Sequence, residues 1–318
     1  MSLLNIVIPG DYPPQIAGSL QLNRLSNYGE VILHTDLPRN TDEQIDRVLN
    51  ADIIINTRGS VKWDREKLSR LPKLKMISTC SIGTDMIDLK YARQSGIIVS
   101  NQPGRTSYVV AEHIFGLMFA LAKQAALQTA HVKSGKWIRL ENILLTGKTL
   151  GIVGTGNIGT NMAKLGKAIG MKVIAWTFNP SKTLVAELGV KYVEFDELLE
   201  QSDVISLHVN LSEKTKNLID AKEISKMKNG SLLINGGRGG LINTKALIEA
   251  LNSKKLGGAG LDVFDQEPID KDHPLLRCEN VVFTPHMADQ TPEGIELLNE
   301  GAVDNVVAYL EGKPINVC

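Results

Sequence analysis

Cysteine is scarce in this 318-residue chain: Cys80, Cys278 and Cys318 are odd in number and far apart, with no Cys-x-x-Cys pair. That argues against a disulfide framework and a structural zinc site, and it makes a reducing cytoplasm the expected compartment. The six histidines form neither His-x-His nor His-Glu-x-x-His, so no metal centre is expected. An excess of either charge is missing as well. Lysine plus arginine and aspartate plus glutamate stand at 35 each, which leaves nothing to draw nucleic acid or an anionic membrane surface. No apolar run approaches the roughly 20 residues that a bilayer span requires. The opening residues, Met1–Ile8, lack a basic n-region and a small-residue cleavage site, and read as a first strand instead of a signal peptide. Low-complexity segments, repeat arrays and long polar linkers are absent too.

What is present is alternation. The length favours two domains. Strand-like runs at Asn5–Pro9, Val31–His34, Asp52–Thr57, Lys75–Cys80 and Ile97–Asn101 are separated by helix-compatible stretches such as Asp42–Asn50 and Asp64–Arg70. Such alternation implies a parallel sheet with crossover helices. A long apolar helix is expected from about Arg105 to Lys123, with Val109, His113, Gly116 and Ala120 spaced for packing, followed by a less regular stretch, Gln124–Lys148. That stretch reads equally as an arm over a partner subunit or as a surface loop. The alternation restarts with strands at Thr149–Val153, Lys172–Thr177, Asp203–Val209, Ser231–Asn235, Gly258–Val263 and Asn280–Thr284. The final segment, Pro292–Glu311, reads as a helix able to return to the first domain.

The most informative local feature is Leu150-Gly-Ile-Val-Gly-Thr-Gly-Asn-Ile-Gly159. Gly154, Gly156 and Gly159 stand between an apolar strand and a helix with apolar residues at Ile158, Met162, Leu165 and Ile169. Glycines there allow a tight turn and let the backbone approach a pyrophosphate, whose charge sits at the helix N-terminus. Ligands of doubly wound sheets bind beyond the C-terminal strand ends. Three polar residues fall just past such ends: Arg238, Glu267 and His286. Singly they read as a loop charge, a solvated turn and a cap. Together they suit carbonyl reduction, in which a histidine supplies the proton, a carboxylate orients and charges it, and an arginine clamps a substrate carboxylate.

These residues carry a resemblance to a known family. Ile234-Asn-Gly-Gly-Arg-Gly-Gly240, Leu261-Asp-Val-Phe-Asp-Gln-Glu-Pro268 and Thr284-Pro-His-Met-Ala288 resemble the D-isomer-specific 2-hydroxyacid dehydrogenases over nearly the whole chain. The resemblance implies an α/β protein of two doubly wound parallel-sheet domains. A Rossmann-type cofactor domain, 101–286, would be inserted into a flavodoxin-like substrate domain, 1–100 and 287–318. It implies hydride transfer between NAD or NADP and a small 2-oxo or 2-hydroxy acid, with Arg238, Glu267 and His286 as the catalytic set. Asn157 and Ile158 would lie over the pyrophosphate, Val209 and Asn210 near the adenosine, Gly236 and Gly237 in the cofactor site, and Asp262 near the nicotinamide carboxamide. Ser81, Ile82 and Gly83 resemble a loop whose backbone N–H groups hold the substrate carboxylate, and Arg58 falls where some members contact substrate.

Departures from the pattern are instructive. Thr177 stands where NAD-preferring members carry an aspartate, which removes the repulsion that excludes a 2′-phosphate. Asn210 replaces a common proline, and Ser81 a frequent glycine. Glutamate, instead of glutamine, beside the histidine disfavours a formate dehydrogenase. The chain ends soon after the last helix, so an extra C-terminal regulatory domain is not expected, whereas a homodimer is. A non-catalytic dinucleotide-sensing protein on the same fold is the alternative reading.

Overall fold

The computed structural model describes residues 4–59 and 61–318, so the reading of the first three residues lies outside it. The chain divides into two compact units, Met1–Thr106 with Gln290–Cys318, and Ser107–Asp289. The boundaries fall a few residues beyond positions 100 and 286. Arg105 is held in the first unit by Glu300 (3.0 Å) and Asp304 (2.9 Å), and residues 287–288 are held in the second by Asp262.

The first unit carries β1 (Leu4–Ile8), β2 (Gly29–Leu33), β3 (Ile53–Asn56), β4 (Met76–Thr79) and β5 (Ile98–Ser100). All pair in parallel, in the order β2-β1-β3-β4-β5, the flavodoxin-like arrangement. Strand periodicity sorts the core into two layers. Val7 and Ile54 enter one layer with Ile45, Val48 and Leu68, whereas Ile6, Ile8, Ile53 and Ile55 enter the other. The second layer is completed by the final helix, Pro292–Leu310, through Leu298, Ala302, Val303 and Val306. Each fully buried valine, leucine or isoleucine among them contributes about 1.5–3 kcal/mol. Helix starts are signalled locally: Asn40, Asp64 and Asp88 accept bonds from the backbone N–H three residues on. The six-residue helices Leu20–Leu25 and Leu89–Gln94 lie outside the expected set, being too short to show a helical period.

The second unit carries β6 (Thr149–Val153), β7 (Lys172–Trp176), β8 (Lys191–Tyr192), β9 (Val204–Leu207), β10 (Ser231–Asn235), β11 (Leu256–Leu261) and β12 (Val281–Phe283). The order is β12-β11-β10-β9-β6-β7-β8, all parallel, which is the doubly wound dinucleotide arrangement with one added edge strand. Seven strands replace the six expected, because β8 has only two residues. The apolar helix runs Ser107–Ala122 and is largely buried on the sheet. The stretch expected to be irregular instead contains a helix, Ala125–Lys133, entered at Gln124 in the left-handed region (φ 50°) and bearing no buried residue. Among the described residues no single helix is long and apolar enough to cross a membrane.

The helix after the glycine turn, Asn157–Ala168, buries Gly159, Met162, Ala163 and Gly166, while Leu165 and Ile169 are only half-buried. Small residues face the sheet because the helix lies close to it: a Cβ on Gly166 would stand 2.6 Å from the Leu150 side chain. At Gly159 a Cβ would stand 2.0 Å from the carbonyl oxygen of Gly154. Gly159→Ala should therefore cost about 1–3 kcal/mol by overpacking, seen as a lower thermal midpoint together with weaker binding of a reduced nicotinamide dinucleotide by fluorescence. An unchanged midpoint and affinity would refute the close approach.

Candidate active site

Gly154 has φ 97° and donates its N–H to Trp176 O (2.7 Å), so the chain turns sharply off β6. A side chain there would meet the His208 carbonyl at 2.8–2.9 Å. Gly156 caps the following helix with no side-chain acceptor, and no atom lies within 4 Å of where its Cβ would be. The first-turn N–H groups, beginning at Asn157 and Ile158, have the dipole and the clearance an anion needs. Thr155 Oγ1 meets Tyr192 Oη at 2.8 Å, and Tyr192 Oη accepts from Ser181 N at 3.1 Å. Tyr192 thus ties the glycine loop to the loop after β7, where Thr177 is half-buried and Phe178, Asn179 and Lys182 are exposed. Val209 is buried, while Asn210 is exposed and uses its carbonyl to accept from Thr215 Oγ1 (2.6 Å). Burial pushes the pKa of neighbouring His208 down to about 4, so that ring is neutral, with Nε2 2.9 Å from Ser206 Oγ.

Arg238, Glu267 and His286 follow the ends of β10, β11 and β12, three neighbouring strands. The turn bearing Arg238 is pinned by Asn235, whose Oδ1 accepts from Gly237 N (3.0 Å) and whose Nδ2 donates to Arg238 O (2.9 Å). Glycine is required on both sides of Arg238. A Cβ on Gly236 would meet the Ile114 side chain at 2.5 Å, and one on Gly239 would meet the Phe264 backbone at 2.0 Å. Arg238 itself is half-buried and donates to Gly237 O at 2.8 Å.

His286 Nδ1 lies 2.6 Å from Glu267 Oε2, and Glu267 Oε1 accepts from Phe264 N at 3.0 Å. The hydrogen bond to Glu267 raises the His286 pKa, outweighing burial and the Arg238 charge. Burial alone would push the Glu267 carboxyl up, but the bonds from His286 and Phe264 N hold it below its ordinary value. The pair is therefore a carboxylate that favours the protonated form of the imidazole beside it.

Beneath them lies Asp262, fully buried. Its Oδ1 accepts from Thr284 Oγ1 (2.5 Å) and Met287 N (3.0 Å), and its Oδ2 accepts from Ala288 N (3.1 Å). The carboxylate expected near a carboxamide is thus also the floor of the histidine loop. His113, on the helix Ser107–Ala122, places Nε2 3.0 Å from Thr284 Oγ1 and 3.5 Å from Asp262 Oδ1. Its sequence reading was packing alone. A lone histidine in an apolar helix gives no other signal when its partner lies 171 residues away.

In the first unit, the loop after β4 ties up its carbonyls. Ser81 O accepts from Thr79 Oγ1 and Gln102 N, Ile82 O from Asn101 Nδ2, and Gly83 O from Ser81 Oγ. Among the described residues no acceptor takes the N–H groups of Ser81, Ile82 and Gly83. Arg58, in the left-handed region (φ 53°), is committed to Pro13 O (2.9 Å), Pro14 O (3.4 Å) and the Gln290 side chain.

A parallel sheet of this order, with its glycine turn and a polar set at the strand ends, defines a dinucleotide-binding domain. The family described as D-isomer specific 2-hydroxyacid dehydrogenase, NAD binding domain, matches residues 115–288. A glyoxylate reductase of Korarchaeum cryptofilum is 36% identical over 299 residues, covering 92% of this chain and 90% of that one. A D-3-phosphoglycerate dehydrogenase of Methanocaldococcus jannaschii is 38% identical over 292 residues, 91% of this chain, and the chain spans only 55% of its length. Among solved structures, an acyclic imino acid reductase in complex with NADPH and D-Arg superposes with a TM-score of 0.90 at 31% identity, covering 99% of this chain and 100% of that one. The chain belongs to the D-isomer-specific 2-hydroxyacid dehydrogenases.

Glu267→Gln should lower the His286 pKa, because the amide keeps the shape but loses the charge that favours imidazolium. Histidine NMR titration of the folded variant checks this, and an unmoved His286 curve would place the cause elsewhere.

Proposed function

We propose that the protein is an NAD(P)-dependent oxidoreductase that interconverts a small 2-oxo acid, such as glyoxylate, hydroxypyruvate or phosphohydroxypyruvate, and its D-2-hydroxy acid. The observation that carries this reading is the 2.6 Å His286–Glu267 pair at neighbouring strand ends beside Arg238. Gly154, Gly156, Asn157, Ile158 and Gly159 would hold the dinucleotide, which when bound would supply or take the hydride at the substrate carbon. With Nδ1 committed to Glu267, His286 has Nε2 left to give the proton to the carbonyl oxygen or to take it from the hydroxyl. Arg238 polarises that oxygen or clamps the carboxylate. The free N–H groups of Ser81, Ile82 and Gly83 suit the substrate carboxylate. Arg58 already serves three acceptors and contributes by fixing the Pro13–Pro14 turn.

Thr177 carries no charge to repel a 2′-phosphate, so NADP is admitted beside NAD. The 107–289 unit would then hold cofactor and the other unit substrate. A homodimer fits the same reading, since Val132, Trp137, Ile138 and Leu144 expose apolar side chains along one segment, Trp137 to 80%. Cytoplasmic residence suits a chain whose three cysteines are free thiols.

His286→Ala should cut turnover by about 10²–10⁴-fold while leaving dinucleotide affinity within experimental error, and unaltered turnover would end the acid–base assignment. Reduction needs imidazolium, so its rate should fall as pH rises through the raised His286 pKa, and oxidation should show the opposite limb. Thr177→Asp should shift the NADH to NADPH ratio of kcat/KM toward NADH by about 10–100-fold, as one charged hydrogen bond allows. Equal ratios in both proteins would show that Thr177 lies away from the ribose.

A further inference from the structure

We infer that His113 is a positioning residue for His286, acting through Thr284 and the buried Asp262 carboxylate. This rests on the reading of His286 as acid–base, and the observations behind it are separate from that reading. His286 sits in the left-handed region, φ 50°, a conformation costing a β-carbon residue about 1 kcal/mol or more. The loop holds it there by bonds on both sides: Thr284 before it, and Met287 and Ala288 after it, all to Asp262. The aim of the ring therefore depends on how firmly one side chain is oriented.

Hydrogen-bond accounting places His113 as the element that fixes it. Thr284 has a single hydroxyl proton, and at 2.5 Å that proton goes to Asp262 Oδ1. The 3.0 Å contact between His113 Nε2 and Thr284 Oγ1 then requires Nε2 to be the donor. The same N–H lies 3.5 Å from Asp262 Oδ1, so His113 also places positive electrostatic potential on the buried carboxylate. It does so from the helix Ser107–Ala122, an element independent of β11 and of the 284–288 loop. The charged groups acting on the His286 ring are Glu267, Arg238 and Asp262, and His113 faces Asp262 from the helix.

His113→Leu removes the donor, and His113→Gln restores an N–H near the Nε2 position. The leucine variant should lower kcat by about 10–100-fold, the cost of a displacement near 1 Å, with cofactor KM little changed. It should also move the alkaline limb of reduction, and the NMR titration of His286, to lower pH, because a loosened loop weakens the Glu267 bond. Glutamine should return both readouts most of the way to wild type. A stability defect alone would lower the thermal midpoint without moving either pH readout. If folded His113→Leu shows the wild-type His286 titration and pH limb, the inference is overturned. If His286→Ala is instead fully active, the acid–base reading fails, and the titration of His286 in the His113 variants still decides whether His113 positions it.

Discussion

Everything at the strand ends of the second unit depends on burying one negative charge. Taking a carboxylate such as Asp262 fully out of water costs several kcal/mol, which only a complete set of donors offsets. Burial pushes the Asp262 carboxyl up, yet bonds from His113, Thr284 and Met287 N bring it below its ordinary value. A depressed carboxylate contributes stability that is present above its unfolded pKa and is lost as pH falls through its folded one. The loop carrying His286 is thus cheapest to open in acid, where the carboxylate no longer needs its donors.

The same strand ends show why sequence spacing becomes adjacency. Arg238, Glu267 and His286 are separated by 28 and 18 intervening residues, yet β10, β11 and β12 are consecutive in the sheet. Neighbouring parallel strands lie about 4.8 Å apart, so short loops from their C-terminal ends meet without further design. Glycine lets those loops pack. Gly236 against Ile114 and Gly239 against Phe264 leave no room for a β-carbon, so Arg238 is presented from a turn packed closely on both sides.

Much of this was legible in the sequence, for identifiable reasons. Core strands contain continuous apolar runs such as Ile53–Ile55 and Leu232–Ile234, and the glycine turn has local chemistry that its own residues declare. Elements below that signal were not legible. Lys191–Tyr192 is too short for a period, and Ala125–Lys133 buries nothing, so no stripe marks it. The helix Asn157–Ala168 kept its place and the core contacts of Met162, Ile158 and Ile169, while the closest approach to the sheet falls to Gly159, Ala163 and Gly166, small residues that an apolar period does not mark. At the site, the meeting of His286 with Glu267 was readable from residue type and position at strand ends. The His113–Thr284–Asp262 relay was not, since each member alone has an ordinary structural reading and only distance connects them.

Substrate choice follows a different logic from catalysis. The N–H groups offered by Ser81, Ile82 and Gly83 come from the backbone, and any residue but proline supplies one. In the proposed function such a loop would hold a carboxylate by the conformation it imposes, and its conformation is set by carbonyls tied to Thr79, Gln102 and Asn101. Ser81 in place of a frequent glycine is compatible with that, because its hydroxyl is spent on Gly83 O and strengthens the same turn. Arg58 follows the converse rule: a side chain suited to an anion is immobilised on Pro13, Pro14 and Gln290, in a left-handed backbone that those bonds must stabilise.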